Sequence, residues 1–451
     1  MTDDSDGPWA AQKVERCPTS APTFTRVTRR ELEFGCSIVV IGLLAGVAGM
    51  ATTVLLHFVE HLTYDFTFGS LLDGVTGSSP VRRTVGPMIG GALAGFGWWI
   101  LRRHYVVPGL ASTIADHRPI PRVAMTVDAG LQVLVVGAGA SLGREGAPRQ
   151  MAAVLGDVGT SRWALTPHDR EILLACAAGA GLGAVYSVPV GGALFAIRIM
   201  MHTWHPRAVG AALITSALAV AVASPVTHVR APLDWPKPEL SYLLTAFALV
   251  MAPLAFAVGA AFNRIMAIAR PAAPVTSWLI IPGIALAGLL VGLGSVWLPE
   301  LPGNGKSILT VSLNSALTVG SAAAILLLKP LLTAIFLRAG AVGGMLTPSL
   351  ATGAALGSVI ALSINTWTEH TVSIAAVSLT CAAGVLAVTQ RAPIWAALFC
   401  LGVGPSAVLG TAAVPRRRAR GPRAAIACRE APRGNGRLIR PGKLGNEIRR
   451  F

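Results

Sequence analysis

The chain is short of charge. Only 13% of its 451 residues are Asp, Glu, Lys or Arg, about half the share of an ordinary soluble domain. Beside 53% hydrophobic residues and a mean hydropathy of +0.62, that deficit excludes a soluble globular protein of this size. Cysteine is sparse too. Six residues (17, 36, 176, 381, 400 and 428), none in a CxxC pair, make neither a disulfide framework nor a zinc site. They read as small packing residues in a reducing or lipid environment. No His/Asp/Glu cluster stands at catalytic spacing, which argues against a membrane-embedded enzyme, and no cofactor or metal is implied. The opening Met1-Thr2-Asp3-Asp4-Ser5-Asp6 is acidic, and the first apolar run lies too deep and is too long for a signal peptide.

What the chain has instead is long apolar runs: Cys36–Phe58, Val85–Leu101, Ala208–Ala223, Leu240–Ala261, Trp278–Val296, Leu309–Leu328 and Leu350–Ile364. Such lengths suit helices that cross a bilayer, and only helices or closed barrels satisfy their backbone in lipid. The runs are continuous and lack the alternation of barrel strands. Composition therefore implies an all-α integral membrane protein with the lipid bilayer as its surroundings. The formal charge of +16 is no nucleic-acid signature, because residues 415–451 hold twelve Lys/Arg and two Glu and alone supply +10. Basic flanks around Lys13–Arg30 and after Val414 put both termini on the cytoplasmic side of a cell (inner) membrane.

Residues 1–34 read as a polar arm ending in an amphipathic helix near Val27–Phe34. A membrane domain spans 35–414, with a first half at 35–223, a Pro-rich connector at 224–239 and a second half at 240–414. Nothing after it resembles a folded regulatory domain. The Arg/Gly/Pro/Ala tail, 415–451, cannot bury a core and reads as disordered. It is either a basic tail drawn to anionic lipid or the product of a reading-frame shift that replaced the last helices. The shortness of the second half favours the frameshift.

Two stretches about two hundred residues apart follow one plan. Gly143-Arg144-Glu145-Gly146-Ala147-Pro148 is followed by Cys176-Ala177-Ala178-Gly179 and by Pro189 with Ala193-Leu194-Phe195. Gly343-Gly344-Met345-Leu346-Thr347-Pro348 is followed by Cys381-Ala382-Ala383-Gly384 and by Pro393 with Ala397-Leu398-Phe399. Interrupted hydrophobic segments at matching places in two halves point to a transport site at the repeat interface.

Glu145 is the residue to explain, since an ionisable group at membrane depth is costly and marks function by default. Helix N-termini carry unpaired N–H groups and about half a positive charge, and flanking glycines let an anion approach the backbone. A tethered carboxylate could fill such a site until protonation neutralised it and released it. The blander alternative is a buried Arg144–Glu145 pair or a simple cap, with Gly139-x-x-x-Gly143 serving helix packing.

These residues resemble the CLC family of chloride channels and chloride/proton antiporters. Gly143-Arg144-Glu145-Gly146 is similar to that family's GREG motif, with its proline one place on at Pro148. Gly344-Met345-Leu346-Thr347-Pro348 is similar to its GxFxP motif, and Gln390-Arg391-Ala392-Pro393 to its turn before a late helix. The resemblance covers roughly 34–399. It implies two inverted-topology helical repeats with broken and tilted helices, a homodimer with one pore per subunit, and chloride or a similar small anion as cargo. By that resemblance Glu145 is the gate, and Gly143, Arg144, Glu145, Gly146, Gly344, Met345 and Leu346 form the anion-binding set.

Three features depart from the family pattern. The GSGIP motif is reduced to His104-Tyr105-Val106-Val107-Pro108-Gly109, which puts Tyr105 at the anion-binding serine. The late pore tyrosine has no counterpart, the tyrosines being 64, 105, 186 and 242. The inner proton-relay glutamate, counted from Pro189, falls on Ile199 beside Arg198. Isoleucine carries no proton, so passive conduction is favoured over antiport by the familiar route. A protein no longer able to transport, its C-terminus altered, is the remaining alternative.

Other polar groups have local readings. Thr166-Pro167-His168-Asp169-Arg170-Glu171 is a helix start. His202 and His205 lack a third ligand for a metal. Trp98-Trp99 and Arg102-Arg103 read as membrane-interface anchors. Asp128 faces either a wet vestibule or an arginine, and Gly303-Asn304-Gly305-Lys306-Ser307 is a re-entrant turn.

Overall fold

The computed structural model describes residues 29–66, 69–227, 242–367 and 372–402. The expectations for the arm before Arg29, most of the connector and the tail lie outside the described residues. Among those described, seven helices are long and apolar enough to cross a membrane: α1 (Arg29–Tyr64), α3 (Pro80–His104), α9 (Pro206–Thr227), α10 (Tyr242–Ala269), α11 (Ile280–Trp297), α13 (Val319–Arg338) and α14 (Leu346–Trp367). Between them lie α2 (Leu71–Gly77), α4 (Leu110–Ala115), α5 (Arg122–Gly137), α6 (Gly146–Gly159), α7 (Pro167–Tyr186), α8 (Pro189–Phe195) and α12 (Lys306–Leu313). The last described helices are α15 (Ile374–Gln390) and α16 (Pro393–Gly402).

Side-chain chemistry at the boundaries accounts for this division. Pro80, Pro167 and Pro189 open their helices, where a missing N–H costs nothing. Ser79, Thr166, Thr318 and Ser373 cap the starts of α3, α7, α13 and α15 through their hydroxyls. The helix start expected at Thr166 is therefore what the structure has.

Two expectations change. Arg29–Phe34 is the opening of the 36-residue α1 rather than a separate amphipathic helix. The single interruption there, Gly35, costs only about 1 kcal/mol in a helix. The run Leu309–Leu328 is two elements: α12 ends at Leu313, Ser315 takes a left-handed backbone (φ 55°), and Thr318 caps α13. Apolar text continued across a turn that periodicity could not reveal.

Burial ranks the helices. The most apolar window of α14 is 72% buried, whereas that of α10 is only 17% buried. The second motif copy thus opens a central helix, and α10 turns its side chains outward. α14 packs on α15 and α13, α3 runs along α11, and α6 lies against α1 and α7.

Candidate anion site at two facing helix starts

Both motif copies build the same local structure. Glu145 stands at the N-cap of α6, and Leu346 is the first residue of α14. Further on, α7 and α15 each end on a non-glycine residue in the left-handed region, Ser187 (φ 57°) and Arg391 (φ 52°). Each stands two places before the proline that opens the next helix.

The loop before Glu145 is tied to the second half at three points. Gly303 N donates to Gly139 O (3.0 Å), and Thr333 Oγ1 donates to Ser141 O (2.7 Å). Gly143 and Gly344 then exchange two backbone hydrogen bonds of 2.7 Å, an antiparallel bridge between the two helix starts. A buried amine braces this region: Lys329, fully buried in α13, donates to Leu301 O (3.1 Å) and Gly303 O (2.7 Å). The Gly303–Ser307 segment is thus the turn that the sequence suggests, held by a lysine from elsewhere.

The bridge aims Glu145 across the interface. Its side chain is 1% exposed and does not cap its own helix. Oε1 instead accepts from the Thr347 amide (2.8 Å), the Thr347 hydroxyl and the Tyr186 hydroxyl (3.1 Å). The Tyr186 and Thr347 hydroxyls lie 2.9 Å apart around that oxygen. The carboxylate of the first half therefore sits where the first turn of α14 presents its unpaired N–H groups, and the helix dipole favours negative charge there. Oε2 has no hydrogen-bond partner and rests against the bridging glycines, so a Cβ at either Gly143 or Gly344 would overlap it. Glycine at both positions is what lets the carboxylate reach the backbone.

Arg144 is not its ion partner. The Arg144 guanidinium lies 5.4 Å from the Tyr186 ring centre, and its Nε is buried without a hydrogen bond. Gly139 is in a turn at φ 110°, which removes the helix-packing reading of Gly139-x-x-x-Gly143. Gly146 opens α6 with Gln132 Oε1 directly over its α-carbon. Met345 is half-buried with its sulfur 3.6 Å from Arg270 Nη2, and Leu346 is buried beside Leu182 and Val188. Tyr105 caps the end of α3 at 51% exposure, and its hydroxyl is not among the groups bonded to the carboxylate. Ile199 lies in a six-residue π-helical segment, Ala196–Met201, that continues α8, and Arg198 there is exposed near Trp204.

Two polar side chains on the carboxylate escaped the sequence reading, Thr347 and Tyr186. Thr347 lies inside the second motif; Tyr186 is the last residue of α7, next to the Ser187 break. Two readings are corrected. Trp98 is fully buried rather than interfacial, and its indole donates to Asp128 Oδ1 (2.8 Å). Asp128 is 2% exposed and, among the described residues, takes no hydrogen bond from an arginine, although Arg102 lies within reach of its charge; Gln132 (2.8 Å) and Gln150 (3.0 Å) donate to its other oxygen. A carboxylate surrounded by three N–H donors is buried at bearable cost.

With this geometry in view, comparison with known proteins is decisive. Residues 98–409 match the sequence model of the voltage gated chloride channel family. The chain belongs to the CLC family. Similar relatives include the voltage-gated ClC-type chloride channel ClcB of Escherichia coli O17:K52:H18 and that of E. coli K12. Each is 30% identical over 377 residues, which is 80% of this chain and 88% of the relative. Among solved structures, the fold is similar to that of a slow cyanobacterial Cl−/H+ antiporter (TM-score 0.69, 20% identity, 82% of this chain and 89% of that one). It is also similar to that of a CLC-type fluoride/proton antiporter (TM-score 0.61, 20% identity, 84% and 96%). The CLC fold of two inverted-topology halves with broken and tilted helices is therefore the fold of this chain. As a CLC member it is a multi-pass membrane protein of anion transport, a channel or transporter and not an enzyme.

Proposed function

We propose that this protein conducts chloride or a similar small anion passively, with Glu145 as a protonatable gate. The observation that carries the reading is the Glu145 carboxylate itself, an anion docked on the Thr347 amide and hydroxyl at the start of the opposite half's helix. A free anion in the same place would meet the same donors together with the amides of Gly146, Met345 and Leu346. Leaving an ion bare in hydrocarbon costs tens of kcal/mol, and charge-assisted hydrogen bonds return about 1.5–3 kcal/mol each. A short, partly hydrated path past several amides meets that cost better than one deep dry site. Gly143, Arg144 and Gly344 shape the path around the carboxylate, and Tyr105 contributes at its far end. The protein works as a homodimer in the bacterial inner membrane, with 35–414 as its membrane domain and both termini cytoplasmic.

Passive conduction is favoured by Ile199, which leaves no carboxylate at the position of the family's inner proton relay. The second reading is anion/proton antiport along another proton route, supported by the antiport described for the two similar structures. Glu145→Gln separates the two: under antiport it abolishes proton movement and spares anion flux.

Radiolabelled chloride efflux from liposomes at pH 7 and pH 4.5, with Glu145→Ala alongside, tests the proposal. Selective efflux that rises at pH 4.5 in the native chain and loses that response in Glu145→Ala is the expected result. Efflux no greater than from empty liposomes refutes it.

A further inference from the structure

One cavity lies beside the site. It has a volume of about 270 Å³ and is walled by Arg102, Arg270, Pro271, Pro274, Val275 and the turn that ends at Gly343. Two arginines line it, and no carboxylate does. One of its walls thus ends one residue short of the Gly143–Gly344 bridge.

The two arginines are held differently. Arg102, in the last turn of α3, is pinned: Nη1 donates to Val275 O (3.0 Å) and Nη2 to Gly340 O (2.8 Å), with the Trp98 ring 5.8 Å away. Gly340 permits this, because it is left-handed (φ 93°) and a Cβ there would press on Val275 at 3.0 Å and Arg102 at 3.4 Å. Arg270 directly follows α10, is exposed, and among the described residues its guanidinium donates only to the Met345 sulfur at 3.6 Å, a weak acceptor. Most of its five donors therefore remain for another acceptor.

We propose, resting on the anion-transport reading, that this cavity is a vestibule in which Arg270 binds the hydrated anion before it meets the amides of Met345 and Leu346. The volume admits an anion with several of its waters, so the full dehydration cost is not met there. A cleft lined by charge of one sign raises the local concentration of the opposite ion by about 10-fold or more at low ionic strength. Arginine suits this role, being always charged and more weakly hydrated than lysine. Arg102 supplies a fixed positive wall, and Arg270 is the side chain that contacts the ion.

The test uses the full chain in liposomes, measuring initial chloride efflux against chloride concentration at low ionic strength. Arg270→Gln should raise the half-saturating chloride about three- to tenfold, with a smaller change in maximal rate. Arg270→Lys should recover most of the loss, and an impermeant salt at high concentration should erase the difference. Half-saturation unchanged in Arg270→Gln, in protein whose Glu145-dependent pH response is intact, overturns the vestibule and leaves the anion reading standing. A native chain that does not conduct overturns the anion reading instead. In that event chemical modification decides the vestibule separately. Chloride should slow the reaction of Arg270 with phenylglyoxal severalfold relative to gluconate in detergent-solubilised protein, and equal rates overturn it.

Discussion

Tyr186→Phe removes one of the three donors to the carboxylate of the proposed gate, together with that hydroxyl's contact with Thr347. The phenol donates to Glu145 Oε1 at 3.1 Å, while the ring packs edge-on against Phe399 (centroids 5.6 Å apart) and lies 5.4 Å from the Arg144 guanidinium. Phenylalanine keeps the ring and both packing contacts and removes only the hydroxyl. A hydrogen bond to a charged acceptor is worth about 1.5–3 kcal/mol, so the ratio of docked to released carboxylate should fall roughly ten- to hundredfold. The Thr347 amide at 2.8 Å and the Thr347 hydroxyl remain and keep a residual closed population. In chloride efflux from liposomes, Tyr186→Phe should therefore leak several times faster than the native chain at pH 7. At pH 4.5, the condition under which the proposed gate opens, the two should agree within about twofold. Native-like efflux at pH 7 would refute the role of the hydroxyl in closing. A matching fall at both pH values would move Tyr186 from the gate to the anion path.

Other contacts make separable predictions. Gly344→Ala puts a methyl where Glu145 Oε2 rests and should abolish the pH response of efflux, whereas Gly320→Ala, with open space around its Cβ, should leave it intact. Lys329→Met strands the Leu301 and Gly303 carbonyls, at about 1–3 kcal/mol for each buried acceptor; thermal denaturation followed by size-exclusion chromatography should drop on the order of 5 °C, and an unchanged midpoint would count against the brace. Trp98→Phe removes one of three donors from Asp128 and should lower the same midpoint while the pH dependence of efflux stays native. A shifted pH dependence in Trp98→Phe would mean that Asp128 acts on the gate.

What the sequence revealed and what it hid follow from the range of the interactions. Helical spans were legible because bilayer thickness sets a length that composition alone can display, and Glu145 stood out because charge is rare among Gly and Ala. The repeat was legible as spacing, from each Gly-rich helix start to the proline that opens the later helix. Its partners were not: Tyr186 lies 41 residues from Glu145, and Thr347 lies 202 residues away. No local pattern encodes either distance. Trp98 and Asp128 misled for a related reason, since an indole beside arginines reads alike whether it meets headgroups or a buried acid. Ser315 broke an apparent span because a single left-handed residue leaves hydropathy untouched.

The two halves meet through the same backbone geometry but bring unequal chemistry. Where the first copy has Glu145, the second has the neutral Met345. Two carboxylates about 4 Å apart across the bridge would repel by roughly 4 kcal/mol at a protein-surface dielectric, so a symmetric pair would force its own gate open. One carboxylate avoids this and finds its donors in both halves, Tyr186 from the first and Thr347 from the second. That docked geometry exists only while the Gly143–Gly344 bridge keeps the two helix starts in register. Closure of the proposed gate is in this sense a property of the repeat interface, and a change that loosens the bridge should weaken it even where it touches no donor of the carboxylate.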